Sequence, residues 1–146
     1  MIMRTKYSKR TVPTQTVGNI GLYYVCYKLS LFGWNVLPTS RNTKGIDIVI
    51  FSQNGIRRLT LQIKTLSKRN AVPLGSNIQG LIADYVIVCV RYTSESPRCY
   101  LLTSAEVREM AHKKEKNGEI SYWLPPPNYE GDLFIENWER IGQGVP

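Results

Sequence analysis

The chain has 146 residues, 42% hydrophobic and 21% charged, with a net charge of +8 and a pI near 9.5. That length and balance fit one domain with a real core and argue against disorder. No apolar run reaches the roughly 20 residues that span a bilayer, and no apolar segment follows the basic N-terminus early enough for a signal peptide, so a cytoplasmic chain with no membrane partner is expected.

Residues 1–13 carry Arg4, Lys6, Lys9 and Arg10 and read as a basic arm ending at Pro13. From about Thr16 to Phe32 the spacing of Val17, Ile20, Tyr24, Tyr27 and Leu31 predicts a helix. Its other face is also apolar, through Leu22, Val25, Cys26 and Leu29, and Gly33 stops it. Residues 34–40 read as a short strand that Pro38 confines to an edge. A hairpin follows around Asn54-Gly55, and then residues 66–80, whose breakers predict a long and functional loop. Residues 84–90 are an unbroken apolar run typical of a strand buried on both faces, and 98–103 read as another strand.

Thr103 and Glu106 form a capping-box signature for a helix that faces inward through Val107, Met110 and Ala111. That helix is expected to end at Asn117-Gly118, with His112 in its Lys-rich tail. Residues 118–146 read as an aromatic cap with Trp123, Tyr129 and a short helix presenting Phe134, Trp138 and Ile141. The order argues for a single mixed α/β layer domain with a partly antiparallel sheet. Cys26, Cys89 and Cys99 show no CxxC spacing and His112 is the lone histidine, which favours buried free thiols over a zinc site.

The hairpin carries the chemistry. Asn-Gly is the strongest short-range signal for a two-residue type I′ turn, which would pair Gln53 with Ile56. In that register Ile46 faces Ile63, Ile48 faces Leu61 and Ile50 faces Leu59, an aliphatic side fit for burial. The other side pairs Gly45 with Lys64, Asp47 with Gln62, Val49 with Thr60 and Phe51 with Arg58. Asp47, Gln62 and Lys64 thus gather at one end of one face, with Gly45 opening space beside the lysine. A carboxylate and an amide oxygen are hard ligands suited to Mg²⁺ or Mn²⁺, and an ammonium can hold phosphate. An Asp–Lys ion pair on a solvated strand, worth about 0–1 kcal/mol, reads the same residues without chemistry.

The stretch Gly45-Ile46-Asp47 followed by Gln62-Ile63-Lys64, after a helix ending in LFGW (31–34), resembles the PD-(D/E)XK nuclease superfamily. The similarity is to the Holliday-junction-resolvase-like and Mrr-like branches with a QxK ending, and it spans roughly residues 16–117. It implies a restriction-endonuclease-like αβββαβ core over about 14–117 and a DNA substrate. It also implies Mg²⁺ or Mn²⁺ held by Asp47, Gln62 and the backbone carbonyl of Ile63, with Lys64 orienting water or stabilising transition-state charge. Members often carry a helix glutamate at what corresponds here to Gly21-Leu22. No acid stands between Thr14 and Gly33, so the implied cation leans on substrate phosphates or requires Mn²⁺. Asp84, at the mouth of the next strand, is read either as a substitute acid or as a strand start.

Arg41, Lys44, Lys68 and Arg69 rim the same end and read as phosphate contacts or as a solvated rim. Trp123, Tyr129 and Trp138 suit base stacking or, better, core packing. The apolar first helix fits a homodimer face or burial under the sheet. Three functions stay open: a metal-dependent DNA endonuclease, a weakened nuclease fold that binds nucleic acid, and an interaction protein whose charge serves solubility.

Overall fold

Of the two apolar sides of the first helical stretch, one packs inward, while Tyr27 and Leu31 on the other are exposed. In the computed structural model, which describes residues 12–40 and 45–146, α1 spans Thr14–Leu31 and packs along a sheet through Val25, Cys26 and Leu29. It closes as expected: Gly33 adopts φ +87°, its amide donates to the Ser30 carbonyl, and the Trp34 amide reaches back to Leu29. Most of the basic arm, together with Arg41 and Lys44, lies outside the described residues.

The central sheet has five strands: β1 (Asn35–Pro38), β2 (Ile48–Phe51), β3 (Arg58–Leu66), then, after β4 (Val72–Gly75), β5 (Tyr85–Val90) and β6 (Arg98–Thr103). Their spatial order is β1-β2-β3-β5-β6, with β3 and β5 parallel and every other pair antiparallel. Pro38 ends an edge strand, where its missing amide costs no ladder bond. The capping box of Thr103 and Glu106 forms in full and starts α2 (Ser104–Met110). A smaller antiparallel sheet, β4-β8-β7, is completed by β7 (His112–Lys116) and β8 (Glu119–Leu124), followed by the single turn α3 (Pro126–Tyr129).

Each face of the central sheet has its own core. On the α1 side, Ile48, Ile50, Leu61, Ile87 and Leu101 meet Val25, Leu29, Trp138 and Ile141. On the other, Val86, Val88 and Leu102 meet Val72, Val107, Leu124 and Tyr129. Burying each large aliphatic side chain contributes about 1.5–3 kcal/mol of transfer free energy. β5 lies between both cores, which is why residues 86–90 read as an unbroken apolar run. Cys26, Cys89 and Cys99 are buried free thiols, and Trp138 and Tyr129 are core residues rather than exposed platforms.

The structure corrects four expectations. First, the two Asn-Gly pairs exchange roles. Asn117 (φ +52°) and Gly118 (φ +80°) make the tight turn between Lys116 and Glu119, so the helix stops at Met110 and His112 stands on a strand. At Asn54-Gly55, Gly55 alone has positive φ, and the loop closes between Ser52 and Arg57 instead. Gln53 does not pair with Ile56, because its amide is drawn to the Gly144 carbonyl of the C-terminal segment, 2.8 Å away.

Second, residues 66–80 are not one loop. They hold β4 and a 3₁₀ turn at Ile78–Gly80, which together make the crossover between parallel β3 and β5. Third, Phe134, Trp138 and Ile141 do not share a helix face. Glu136 sits at φ +47°, Phe134 joins the second core, and Trp138 and Ile141 join the first. Fourth, Gly45 does not open space: at φ +74° it lies against the Gly80 carbonyl and Ile82, where a side chain would not fit.

Candidate functional site

The hairpin register read from the aliphatic face is the one observed, from Phe51 opposite Arg58 to Ile48 opposite Leu61. Beyond that pair the ladder gives way to a local arrangement built around Asp47. Its amide donates to the Leu61 carbonyl at 2.8 Å, and its carbonyl accepts the Thr39 amide at 2.9 Å. Its side chain replaces the next ladder bond, with Oδ2 accepting the Ile63 amide at 2.7 Å. Thr39 also fixes the preceding residue, its hydroxyl donating to the Ile46 carbonyl at 2.6 Å. The acid is therefore held on both sides of its own backbone and through its carboxylate.

Ile63 separates Gln62 from Lys64, and the two-residue period of a strand sends both to one face. Gln62 Oε1 is buried and among the described residues accepts no hydrogen bond, an arrangement that costs about 1–3 kcal/mol unless something fills its lone pairs. Burial pulls the Lys64 ammonium below the ordinary lysine value, and the nearby Asp47 carboxylate pushes back upward. One carboxylate oxygen of Asp47 is thus engaged by Ile63, while an amide oxygen and a desolvated ammonium stand on either side of that amide. A hard divalent cation fits this donor set: the Gln62 oxygen has no hydrogen-bond partner among the described residues, and such an ion supplies one. The charge is sparse for it, since among the described residues no three His, Cys, Asp or Glu side chains cluster as a metal site.

Asp47 forms part of the wall of an open cleft of about 560 Å³, which it shares with Pro38, Thr39 and Ser40 and with Gln15, Asn19, Leu22 and Tyr23 of α1. Sequence reasoning missed this helical wall by pointing to Gly21-Leu22. Leu22 does line the cleft, but Gly21 is pressed against Thr65, where any Cβ would overlap the Thr65 hydroxyl. The polar residues that α1 presents at the cleft are the amides Gln15 and Asn19, bonded to each other at 3.4 Å. Their four-residue spacing was the available signal.

Other residues singled out in the sequence are spread more widely. Lys68 is exposed just past the end of β3. Arg69 is committed to Glu130, with Nε 2.9 Å from both carboxylate oxygens and a second nitrogen 2.8 Å from Oε1. Asp84 accepts the amide and hydroxyl of Thr60, at 2.8 and 3.1 Å, and so pins the start of β5 to β3 rather than joining Asp47. Arg41 and Lys44 lie outside the described residues.

No protein-family model matches the sequence, and no curated protein matches it. The structure is similar to that of Hjc, a Holliday junction resolvase from the archaeal hyperthermophile Archaeoglobus fulgidus, with a TM-score of 0.60 and 18% identity over 86% of this chain and 96% of that one. It is also similar to the bacterial homing endonuclease I-Ssp6803I, with a TM-score of 0.61 and 17% identity over 90% of this chain and 92% of that one. Both carry the restriction-endonuclease-like PD-(D/E)XK nuclease fold, and the chain has that fold. Among the described residues no helix is long and apolar enough to cross a membrane.

Proposed function

We propose that the protein is a divalent-metal-dependent DNA endonuclease that hydrolyses phosphodiester bonds at Asp47, Gln62 and Lys64. The observation that carries this reading is the buried Gln62 oxygen, with no hydrogen-bond partner among the described residues, on the strand whose Ile63 amide holds an aspartate fixed by four hydrogen bonds. Neither feature is needed for a hairpin on a solvated face, and the fold is one that nucleases use.

Asp47 and Gln62, with the Ile63 carbonyl, are the residues suited to hold Mg²⁺ or Mn²⁺. When bound, such an ion polarises phosphate and lowers the pKa of water. Lys64, drawn down from its ordinary value by burial, holds a phosphoryl oxygen or orients the attacking water, and its charge counts for more in a desolvated site. Lys68, Arg41 and Lys44 serve as backbone contacts that position DNA without reading it. Arg69 can do so as well if its pairing with Glu130 is exchanged for phosphate.

A second reading, a nucleic-acid-binding module with weakened chemistry, is favoured by the neutral amides that α1 presents to the cleft. Incubation with single-stranded, duplex and four-way-junction DNA in Mg²⁺ and in Mn²⁺ separates the two. The enzyme reading expects metal-dependent cutting that Asp47→Asn and Lys64→Met abolish. Binding without cutting in either metal supports the module.

A further inference from the structure

Four residues spaced about one turn apart on α1 lead out of the cleft. Gln15, Asn19 and Tyr23 line it together with Asp47, and Tyr27 follows one turn beyond. Tyr23 and Tyr27 are 61% and 60% exposed, and among the described residues neither makes a hydrogen bond or ring contact. A single exposed tyrosine needs no explanation. Two in a row, the first forming a wall of the cleft that holds the fixed acid, do need one. The helix adds no carboxylate that would repel a phosphate, and Lys28 is its one charged residue. The chain as a whole carries +8.

A flat, unoccupied aromatic face next to a phosphate site is what an unpaired nucleobase stacks on, whatever its identity. A paired and stacked base in a duplex cannot offer its face. We infer that Tyr23 and Tyr27 form a stacking ledge for unpaired bases adjoining the phosphate at Asp47, with Gln15 and Asn19 bonding to the edge of the first base. The substrate class is accordingly nucleic acid with single-stranded nucleotides at the cleft: a single strand, a flap or an opened junction arm. The inference rests on the nuclease reading for the place of the phosphate.

A second copy of this chain is the competing occupant, since Leu31, one turn beyond Tyr27 on α1, is an exposed apolar side chain too. The two amides at the inner end of the stripe favour a base, which has hydrogen-bonding edges, over an apolar protein face.

The test is binding in EDTA, so that cleavage plays no part. A short single strand carrying one 2-aminopurine and the duplex of the same sequence are titrated with the wild type and with Tyr23→Leu, Tyr27→Leu and Tyr23→Phe. The ledge predicts that each leucine variant binds the single strand on the order of tenfold more weakly, with loss of the stacking-induced fluorescence change. Duplex affinity stays unchanged and Tyr23→Phe behaves as wild type. Leucine variants that bind the single strand like the wild type would overturn it, as would equal losses on both DNAs or a wild type that binds neither. Sedimentation that shows a wild-type dimer split by Tyr27→Leu assigns the stripe to a second copy. Because no metal is present, failure of the ledge leaves the cleavage reading standing, and absence of cleavage leaves the ledge standing.

Discussion

The carboxylate of Asp47 holds the backbone amide of Ile63 at 2.7 Å, so one hydrogen bond sets the acid that precedes β2 beside the segment of β3 where Gln62 and Lys64 flank Ile63. Asp47→Asn retains an oxygen for that amide, whereas Asp47→Ala leaves it without a partner. The alanine variant is expected to lose about 1–3 kcal/mol of stability and the asparagine variant less. If Asp47 is the proposed anionic ligand, both variants are expected to lose cleavage roughly a hundredfold or more. Denaturant titration and a cleavage assay on the pair separate the structural part of this contact from the chemical part.

Lys64 acts on stability in the opposite sense. Burial lowers its folded-state value below the unfolded 10.5, with Asp47 opposing, so the unfolded chain binds the proton more tightly. Stability therefore rises with pH between the folded and unfolded values, and at neutral pH the buried ammonium costs stability. Lys64→Met is expected to raise the melting temperature at pH 7, to flatten the rise toward alkaline pH and to abolish cleavage. A methionine variant that melts lower than the wild type at pH 7 contradicts this.

At Gly21, α1 lies tightly against Thr65 of β3. A Cβ there overlaps the Thr65 hydroxyl, which is itself buried and makes no hydrogen bond among the described residues. Gly21→Ala is expected to cost about 1–3 kcal/mol by overpacking. Thr65→Ala in that background returns part of the loss, giving a coupling that a double-mutant cycle reads directly. Additive losses would mean that the two residues do not press on each other.

The α2 capping box carries an acid-sensitive bond. Burial acts to raise the Glu106 carboxyl, but the Arg140 guanidinium, 2.9 Å away, and the amide and hydroxyl of Thr103 outweigh it and hold the group below the ordinary carboxylate range. A depressed folded value contributes stability above about pH 4.5 that is lost as pH falls through the folded value. Glu106→Gln is expected to cost about 1 kcal/mol at pH 7 and to shrink the acid-side slope of stability. Melting temperatures of the two proteins that stay parallel down to pH 3 would count against the assignment.

Much of the fold was legible because its signals are periodic. Ile48, Ile50, Leu59 and Leu61 alternate, and a slip of one residue would have sent one strand's pair to the opposite face from the other's, so the β2–β3 register could be read even though the turn joining them was misassigned. The turn was misread because its conformation is decided from outside: Gly144 takes the Gln53 amide, a contact 91 residues distant in sequence and invisible locally. The strand at His112–Lys116 left no pattern either. All five residues are exposed, and the strand is held by its partner β8 and by Lys114 lying over Trp123 at 5.3 Å. At the site, the juxtaposition of Asp47, Gln62 and Lys64 followed from register alone. The α1 wall did not, because a helix apolar on both sides does not reveal which stripe faces a cleft.

Asp47, Gln62 and Lys64 are proposed as one metal-dependent phosphodiesterase site. Single-turnover cleavage of a single-stranded DNA in Mn²⁺, by wild type and Asp47→Asn purified in parallel, tests it most directly. The wild type is expected to cut, EDTA to stop the cutting, and the variant to lose it despite an intact fold. Cutting at the same rate by both proteins, or none by the wild type, would contradict that proposal.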